Sequence, residues 1–542
     1  MSFVPDTQNK EFQDALNLIQ YTRQSVFLTG KAGTGKSTFL KYICANTKKK
    51  HVVLAPTGIA AINAGGSTLH SFFKLPFYPL LPDDPNFSLQ RGRIHEFFKY
   101  TKPHRKLLEE LELVIIDEIS MVRADIIDAV DRILRVYSRN LREPFGGKQI
   151  LLVGDVFQLE PVVKGDEREI LNRFYPTPYF FSARVFGQID LVSIELQKVY
   201  RQTDSKFIHV LDHIRNNTVG SAELQLLNTR YGTQIEQSEA DMYITLATRR
   251  DNVDYINDKK LAELPGDPVT FYGEIMGDFP ESSLPTSQEL VLKPGAQIIF
   301  IKNDFDRRWV NGTIGVISGF DPIEETLYVI TDDGKECDVK RESWRNIRYK
   351  YNEEKKQIEE EELGTFTQYP VRLAWAITVH KSQGLTFSRV VIDFTGGVFA
   401  GGQAYVALSR CTSLEGIQLK KPISRADVFV RPEIVSFSER FNNRTAIDRA
   451  LKQAQADVQY VAAAKAFDKG DFGTFLDEFF KAIHSRYDIE KPNVQRLIRR
   501  KLNIINRLKE ENRALKQAAL EKEKALVKYA REYILMGAEC LK

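Results

Sequence analysis

The stretch SVFLTGKAGTGKSTFLKYICA, residues 25–45, decides the fold of this chain. An apolar run typical of a strand leads into a glycine-rich loop, and residues 30–37 match the pattern G-x-x-x-x-G-K-[ST] at the start of a helical stretch. In such a loop the backbone N–H groups surround phosphate oxygens, and the following helix directs its positive end at them. We expect Lys36 to reach the β- and γ-phosphates of a nucleotide, and Ser37 to offer its hydroxyl to Mg²⁺. The alternative is a chance glycine-rich turn.

Two carboxylates close a later apolar strand. Asp117 and Glu118 follow the run LVII, so they are expected at the strand end that faces the phosphate loop. We expect Asp117 to hold Mg²⁺ through water, and Glu118 to orient and deprotonate the attacking water. Gln158, in GDVFQLEPV after the next strand, offers an amide that could sense the γ-phosphate.

Phosphoryl transfer leaves negative charge that a nucleotide hydrolase usually stabilises with an added arginine. Two arginines stand at suitable places in the sequence. Arg201 follows a strand in IELQKVYRQTD, and Arg410 follows a helical stretch in GQAYVALSRCTS. Either side chain could instead form a surface ion pair, and position in sequence alone does not separate these readings.

The chain reads as an α/β protein with three parts. Residues 1–190 and 191–440 each alternate strands with helical stretches, which predicts parallel sheets with crossover helices. A proline-rich, aromatic and basic insertion at about 75–105 interrupts the first part. Short strands at about 271–364 interrupt the second part and predict a small inserted β-barrel. Residues 441–542 are rich in Ala, Lys, Glu and Leu, which predicts an all-helical extension.

Composition and charge restrict the partners only weakly. The 76 basic and 72 acidic residues give a net charge of +4, so a nucleic acid would have to be held by a local groove. The four cysteines lie far apart, which excludes a CxxC zinc site and argues against a disulfide framework. A signal-peptide pattern and a run of about 18 apolar residues are both absent from the sequence. We therefore expect a cytoplasmic protein without a membrane partner.

Eight motifs occur in the order found in superfamily 1 helicases. They are GKAGTGKST, LAPTGIAAINAGG, STLHSFF, IIDEISM, GDVFQLEPV, VYRQTD, AWAITVHKSQGLTF and AYVALSR. Over roughly residues 1–440 the set resembles the PIF (petite integration frequency) helicases and the related RecD group. The stretch DSKFIHVLDHIRNNTV, residues 204–219, is similar to the segment that separates the PIF helicases from RecD proteins.

The resemblance implies two RecA-like P-loop domains with an ATP cleft between them, and ATP and Mg²⁺ as cofactors. Within that cleft it implies that Gln8 contacts adenine and that Gly384 lies near the nucleotide. The full set of residues implied at the cleft is Gln8, Gly30, Gly33, Thr34, Gly35, Lys36, Ser37, Thr38, Asp117, Glu118, Gln158, Arg201, Gly384 and Arg410.

The resemblance also implies a groove for single-stranded DNA, lined by small polar and basic residues. These are Thr57, Thr68, His70, Thr378, His380, Lys381 and Ser382. A motor that moves along any sequence also needs aromatic faces for stacking, and Phe72 and Phe73 are expected to supply them. Phe77 and Tyr78 follow closely, and some of these four aromatics must belong to the core.

The insertion at about 75–105 corresponds in position to the wedge subdomain that splits duplex DNA in this family. Its basic and aromatic residues, Arg91, Arg93, Phe97, Phe98, Lys99 and Tyr100, fit that role, although an ordinary amphipathic surface helix would look much the same. The expected activity is ATP-driven translocation from 5′ to 3′ on single-stranded DNA, with unwinding at duplex junctions. It is expected to be a bacterial-type activity associated with the nucleoid.

Three other functions fit the sequence less well. A RecD-type subunit of a nuclease complex would need partner surfaces that a sequence does not display. A relaxase-helicase would need a cluster of three histidines and a tyrosine nucleophile, and the eight histidines form no such cluster in the sequence. A scaffold without activity would not need Lys36, Asp117 and Glu118. The chain is expected to be a monomer, and its helical extension could dock a protein partner.

Overall fold

The computed structural model describes residues 6–76, 78–84, 94–163, 165–202, 204–233, 242–306, 308–352, 357–487, 490 and 492–541. The chain divides into two compact units, Met1–Leu451 and Lys452–Lys542. In the described residues, no helix is both long enough and apolar enough to cross a membrane.

A six-stranded sheet forms the centre of the first part of the larger unit. Its strands are β1 (Val26–Gly30), β2 (His51–Ala55), β3 (Ser67–Thr68), β4 (Leu113–Ile116), β5 (Gln149–Val153) and β6 (Val192–Leu196). They lie in the order β3-β2-β4-β5-β1-β6, and all neighbours are parallel. The predicted parallel sheet is therefore present.

The boundary expected at residue 190 is wrong, because β6 pairs with β1 along its whole length. The first sheet therefore extends to Leu196. A strand-like run shows in the sequence where a strand lies but not which sheet it joins, since pairing is decided by the crossover connection in three dimensions.

Helices connect and cover the strands of this sheet. They are α1 (Lys10–Tyr21), α2 (Lys36–Asn46), α3 (Gly58–Ala64), α4 (Leu69–Phe73), α5 (Ile94–Phe97), α6 (Lys102–Glu110), α7 (Ala124–Tyr137) and α8 (Gly165–Leu171). Strand β1 is buried on both faces: Val26 and Leu28 pack into one core cluster and Phe27 into another. Burial on two faces explains why its sequence is a continuous apolar run.

The remaining strands of the larger unit belong to a second parallel sheet and to a β-rich insertion. They are β7 (Ile244–Ala247), β8 (Val269–Tyr272), β9 (Glu274–Gly277), β10 (Glu289–Leu292), β11 (Gln297–Phe300), β12 (Ile314–Asp321), β13 (Thr326–Thr331), β14 (Glu336–Val339), β15 (Glu342–Asn352), β16 (Gln357–Gln368), β17 (Val371–Leu373), β18 (Ala376–Thr378), β19 (Val390–Asp393) and β20 (Ile417–Leu419). The second parallel sheet has the order β18-β7-β19-β20. Its helices are α9 (Ser205–Arg215), α10 (Ser221–Asn228), α11 (Arg250–Glu263) and α12 (Gln403–Leu408). Helix α13 (Pro432–Ser438) instead packs Ile434 and Phe437 into the core of the first sheet.

The β-rich insertion is present, but its described strands do not pair as one closed barrel. They form three antiparallel sheets, with the orders β14-β13-β12-β11-β17, β15-β16-β9 and β10-β8. The insertion begins at Val269 and its last strand ends at Leu373, so it is longer than the expected span of about 271–364.

The second compact unit is helical in its described residues, as predicted for the extension. Its helices are the end of α14 (Arg444–Asp468), α15 (Phe472–Ser485) and α16 (Pro492–Cys540). Aromatic contacts hold α14 to α15, with the ring centroids of Phe467 and Phe475 5.2 Å apart and those of Tyr460 and Phe479 5.9 Å apart.

Candidate nucleotide site and nucleic-acid groove

The glycine-rich loop joins β1 to α2, as its sequence predicts. Gly33 has a φ of +83°, and a Cβ added to it would lie 2.4 Å from the Cβ of Arg201, so only glycine fits there. Gly35, with a φ of +90°, caps the amino end of α2. The Lys36 ammonium donates hydrogen bonds to the carbonyls of Gly30 at 2.6 Å and Lys31 at 3.0 Å, which holds it within the loop. Burial lowers the pKa of Lys36.

The carboxylate pair follows β4 at the same edge of the sheet. The N–H of Asp117 donates to the carbonyl of Leu54 at 2.8 Å, and the Asp117 carboxylate accepts from the N–H of Glu118 at 2.9 Å. Glu118 has a φ of +48°, a left-handed conformation that is costly for any residue with a side chain. Burial raises the pKa of Asp117. Burial and then the charge of Asp117 raise the pKa of Glu118 to about 7, against the opposing charges of Lys36 and Arg410.

The two predicted arginines come together at this cleft from distant parts of the chain. Arg410 is buried, and its guanidinium donates to the carbonyl of Val406 at 3.0 Å and the hydroxyl of Ser409 at 3.1 Å. Arg201 donates to the carbonyl of Ser409 at 3.4 Å. Burial lowers the pKa of both guanidinium groups, and each lacks a carboxylate ion-pair partner in the part of the chain that the structure describes. The surface ion pair considered for each is therefore not what the structure contains.

Helix α12 of the second sheet lies directly against the phosphate loop. The Tyr405 hydroxyl accepts a hydrogen bond from the N–H of Ala32 at 3.0 Å. Gly402, which precedes α12 with a φ of +76°, lies so close to the backbone of Phe157 and Gln158 that an added Cβ would be 2.3 Å from each carbonyl oxygen. Gln158 is buried at this contact. The two sheets therefore meet where the loop, Gln158 and the arginines lie.

Sequence reasoning missed a buried ion pair behind the cleft. Arg215 of α9 donates to Asp155 at 3.1 Å and lies 2.8 Å from Glu195, and its guanidinium carbon is 4.2 Å from the centroid of the Phe157 ring. Burial opposes the charge of Arg215, but the neighbouring Asp155, Tyr405 and Glu195 raise its pKa overall. The available signal was an acidic residue at a strand end in GDVFQLEPV and an arginine in residues 204–219.

Two further residues, Gln8 and Gly384, were assigned to the nucleotide by resemblance. Gln8 is exposed, and its neighbour Asp6 accepts hydrogen bonds from Lys198 at 2.8 Å and from the Tyr200 hydroxyl at 3.0 Å. The N–H of Tyr200 donates to the carbonyl of Gly33 at 2.8 Å, so the segment with Gln8 lies beside the phosphate loop. Gly384 is exposed, with a φ of +80°.

Two threonines assigned to DNA cap short helices of the first sheet. The Thr57 hydroxyl accepts from the N–H of Ala60 at 3.2 Å, and the Thr68 hydroxyl accepts from the N–H of Ser71 at 3.1 Å. Because each hydroxyl uses a lone pair in its cap, its own proton remains available for a phosphate oxygen. His70 lies in α4, and burial lowers its pKa.

Four residues assigned to DNA are instead buried. Phe72 and Phe73 are 4% and 0% exposed and pack in the core, so the expectation that they stack on bases is wrong. Ser382 is 0% exposed and donates its hydroxyl to the carbonyl of Val379 at 2.7 Å. Thr378 is also buried and accepts from the N–H of Lys381 at 3.2 Å. These two hydroxyls form hydrogen bonds within the segment and so stabilise its conformation, because a buried polar group must find its hydrogen-bond partner in the protein itself.

In the same segment Lys381 is exposed and His380 is half-buried. The His380 ring stacks on that of Phe399 at a centroid distance of 6.5 Å and an interplanar angle of 18°. Phe399 is 61% exposed and was not identified from the sequence. Its signal was an aromatic residue between two glycine pairs, in GGVFAGG. Burial lowers the pKa of both His380 and Lys381.

Only part of the expected wedge can be placed. Phe77, Arg91 and Arg93 lie outside the described residues. Phe98 and Tyr100 are buried in the core, so they do not provide a duplex-facing surface, whereas Lys99 is exposed. Tyr78, the last of the four aromatics near His70, is 51% exposed.

The sequence of this chain is similar to those of known helicases. Residues 4–225 match the family model described as PIF1-like helicase. The protein of Homo sapiens named ATP-dependent DNA helicase PIF1 is 34% identical over 417 residues, which cover 73% of this chain and 58% of the human protein. The chain thus spans little more than half the length of that relative.

Solved structures are also similar. A crystal structure of Pif1 from Bacteroides sp in complex with ADP-AlF4 is 42% identical, with a TM-score of 0.73 and coverage of 80% of this chain and 96% of that chain. A crystal structure of Bacteroides Pif1 bound to ssDNA is 42% identical, with a TM-score of 0.58 and coverage of 81% and 98%.

Proposed function

The chain belongs to the PIF1-like helicase family, and from this premise we propose that it is an ATP-dependent DNA helicase that moves 5′ to 3′ on single-stranded DNA. One observation carries the proposal. Lys36, the Asp117–Glu118 pair, Arg201 and Arg410 come from two parallel sheets and converge on one cleft, which is the set of groups that phosphoryl transfer requires.

Each group has a part in hydrolysis that follows from its position. The loop N–H groups and Lys36 bind the phosphates, and Glu118, with its raised pKa, takes a proton from the attacking water. Arg201 and Arg410 are held by carbonyl and hydroxyl groups and have no carboxylate ion-pair partner among the described residues. Their charge is therefore available to the transferring phosphoryl group.

The oxygen donors at the site fit Mg²⁺. Ser37 is exposed at the amino end of α2, and the Asp117 carboxylate lies at the end of β4, so the donors are a hydroxyl and a carboxylate, as Mg²⁺ prefers. When bound, the ion would neutralise charge on the phosphate oxygens. Gln8 is proposed to contact the adenine, since its segment lies beside the loop.

Single-stranded DNA is proposed to bind across both domains and to couple its movement to the cleft. The groups offered by the first domain are Thr57, Thr68 and His70, and those offered by the second are His380, Lys381 and Phe399. Because α12 of the second domain contacts the phosphate loop, a change in the nucleotide would move the two sets relative to each other. Duplex junctions are the proposed substrates, with G-quadruplex or DNA–RNA structures as further ones in replication, recombination, repair or telomere-type maintenance.

The test measures ATP hydrolysis with and without single-stranded DNA, and then unwinding of matched duplexes with either a 5′ or a 3′ tail. We expect hydrolysis to depend on DNA, binding to weaken with added salt, and only the 5′-tailed duplex to be unwound. Preference for the 3′ tail would contradict the proposed direction. Equal ATPase rates with and without DNA, where binding is demonstrated separately, would contradict the coupling.

Two variants test the cleft itself. Lys36→Ala removes the charge at the phosphates without touching a core, and we expect it to abolish turnover while the fold and DNA binding persist. Glu118→Gln is expected to bind ATP without hydrolysing it. Retention of hydrolysis within about tenfold of the parent, a barrier difference of about 1.4 kcal/mol, would show that the cleft is assigned wrongly.

A further inference from the structure

Two histidines of α9 and one glutamate of α10 form a compact group outside the nucleotide cleft. His209 and His213 are four residues apart, so they lie on the same face of α9, and their ring centroids are 4.3 Å apart. Glu223 reaches the pair from α10. One nitrogen of each ring and one carboxylate oxygen all lie within 4.8 Å of one another.

The surroundings of the group leave its ligand atoms available. The Glu223 carboxylate accepts the N–H of Gly220 at 2.9 Å through one oxygen, and its other oxygen, 3.8 Å from the His213 ring, faces that histidine. The Nδ1 atom of His213 lies 3.2 Å from the carbonyl of Thr218 and 3.8 Å from the Glu223 carboxylate, so a ring with its proton on Nδ1 would offer the lone pair of Nε2 to an ion.

We propose that His209, His213 and Glu223 bind a divalent transition-metal ion of the Zn²⁺ class at the surface between α9 and α10. Two imidazoles and one carboxylate are a ligand set that suits Zn²⁺, whereas Mg²⁺ prefers oxygen donors alone. The group is only partly buried, with His209 exposed, so water completes the coordination. The ligand atoms lie up to 4.8 Å apart, and small rotations of the side chains would bring them to the separations found in a tetrahedral site.

The place of the group gives such an ion a structural effect. Two neighbouring residues of α9 contact the nucleotide cleft: Asp212 pairs with Lys31 of the phosphate loop at 2.6 Å, and Arg215 pairs with Asp155 at 3.1 Å. An ion that ties α9 to α10 would therefore stabilise the helix that supports the loop. This inference concerns metal binding alone and does not depend on the proposed helicase activity.

The test is equilibrium dialysis and calorimetry of the full chain, without an affinity tag, against Zn²⁺ in excess Mg²⁺. We expect one Zn²⁺ per chain at this site, and a rise in melting temperature on its addition, because a ligand that binds the folded state stabilises it. Co²⁺ in place of Zn²⁺ should give visible absorption bands typical of coordination by nitrogen and oxygen.

His209→Ala, His213→Ala and Glu223→Gln should each weaken Zn²⁺ binding by more than about tenfold, and the double histidine variant should lose it. His484→Ala, at another exposed histidine, and Cys540→Ser, at an exposed thiol, serve as controls and should bind as the parent does. Melting temperatures without metal show whether each variant folds. Absence of stoichiometric binding to the parent, or parent-like binding by the folded double variant, would overturn the proposal.

Discussion

The phenol oxygen of Tyr405, in helix α12, lies 3.0 Å from the backbone nitrogen of Ala32 and accepts its hydrogen bond. This contact joins the phosphate loop of the first sheet to the helix that ends at Leu408, two residues before Arg410. Both groups are buried, so neither has water as a substitute partner. A hydrogen bond therefore links the loop that would hold the phosphates to the helix that precedes the arginine.

Tyr405→Phe should uncouple these two elements. The substitution leaves the buried Ala32 N–H without its acceptor, which costs about 1–3 kcal/mol. We expect DNA-stimulated ATP hydrolysis to fall more than nucleotide binding, measured by steady-state kinetics and by titration with a fluorescent nucleotide. Tyr255→Phe, at an exposed tyrosine, is the control. If Tyr405→Phe had the kinetics of the parent, the hydrogen bond between Tyr405 and Ala32 would have no part in ATP hydrolysis.

Arg215→Met should destabilise the larger unit strongly. It leaves Asp155 and Glu195 as negative charges without a partner, and breaking a buried pair in this way costs about 3–5 kcal/mol. Urea denaturation followed by tryptophan fluorescence measures the change. Arg250→Gln removes a partner from the exposed Arg250–Asp254 pair, and it should leave the midpoint almost unchanged. A similar small shift for both variants would contradict the burial of the Arg215 pair.

The ATPase rate should rise with pH through about 7. Burial raises the pKa of Glu118 to about 7, so the carboxylate that accepts the proton is mostly protonated below this pH and mostly ionised above it. The ionised fraction grows from about one tenth to about nine tenths over the two pH units centred there. Turnover at saturating ATP and DNA gives the profile. A rate that is flat across this range, while the chain stays folded, would exclude Glu118 as the base.

Phe72→Ala and Phe399→Ala should separate a core aromatic from an exposed one. Phe72 packs in the core, and its truncation should cost about 3–5 kcal/mol of stability. Phe399 is exposed beside His380, so its truncation should leave the fold intact and weaken single-strand binding by about 1–3 kcal/mol, the value of one stacked base. Denaturation and fluorescence anisotropy measure the two effects. Loss of DNA affinity from a fully folded Phe72→Ala would reverse this assignment.

His70→Ala and His380→Ala should reduce unwinding more than basal ATP hydrolysis. The two histidines belong to different domains, His70 in α4 and His380 beside the exposed Phe399, and each is proposed to contact the strand and not the γ-phosphate. Unwinding and hydrolysis are measured on the same preparations, with His484→Ala as the control at an exposed histidine. Equal losses in both activities would indicate that these residues act on the cleft and not on the strand.

The sequence determined the local parts of the nucleotide site. The strand, the glycine-rich loop and the helix that holds Lys36 and Ser37 are contiguous, and their conformation follows from an apolar run and from glycines that allow a positive φ. The position of Asp117 and Glu118 at a strand end follows in the same way, because parallel strands end at a common edge. The order of the motifs likewise determined the family.

Only the tertiary structure decided which distant residues meet and which side of an element is covered. Arg201 and Arg410 share one cleft because two sheets pack together, and β6 joins the first sheet because its crossover returns there. Phe72, Phe73 and Ser382 are buried although their sequence fits a groove. In a short segment the sequence does not show which side chains will be covered, because that depends on which other elements pack against the segment. The group of His209, His213 and Glu223 likewise needs the turn between α9 and α10 to exist, because a contact between two helices depends on packing that neither helix encodes alone.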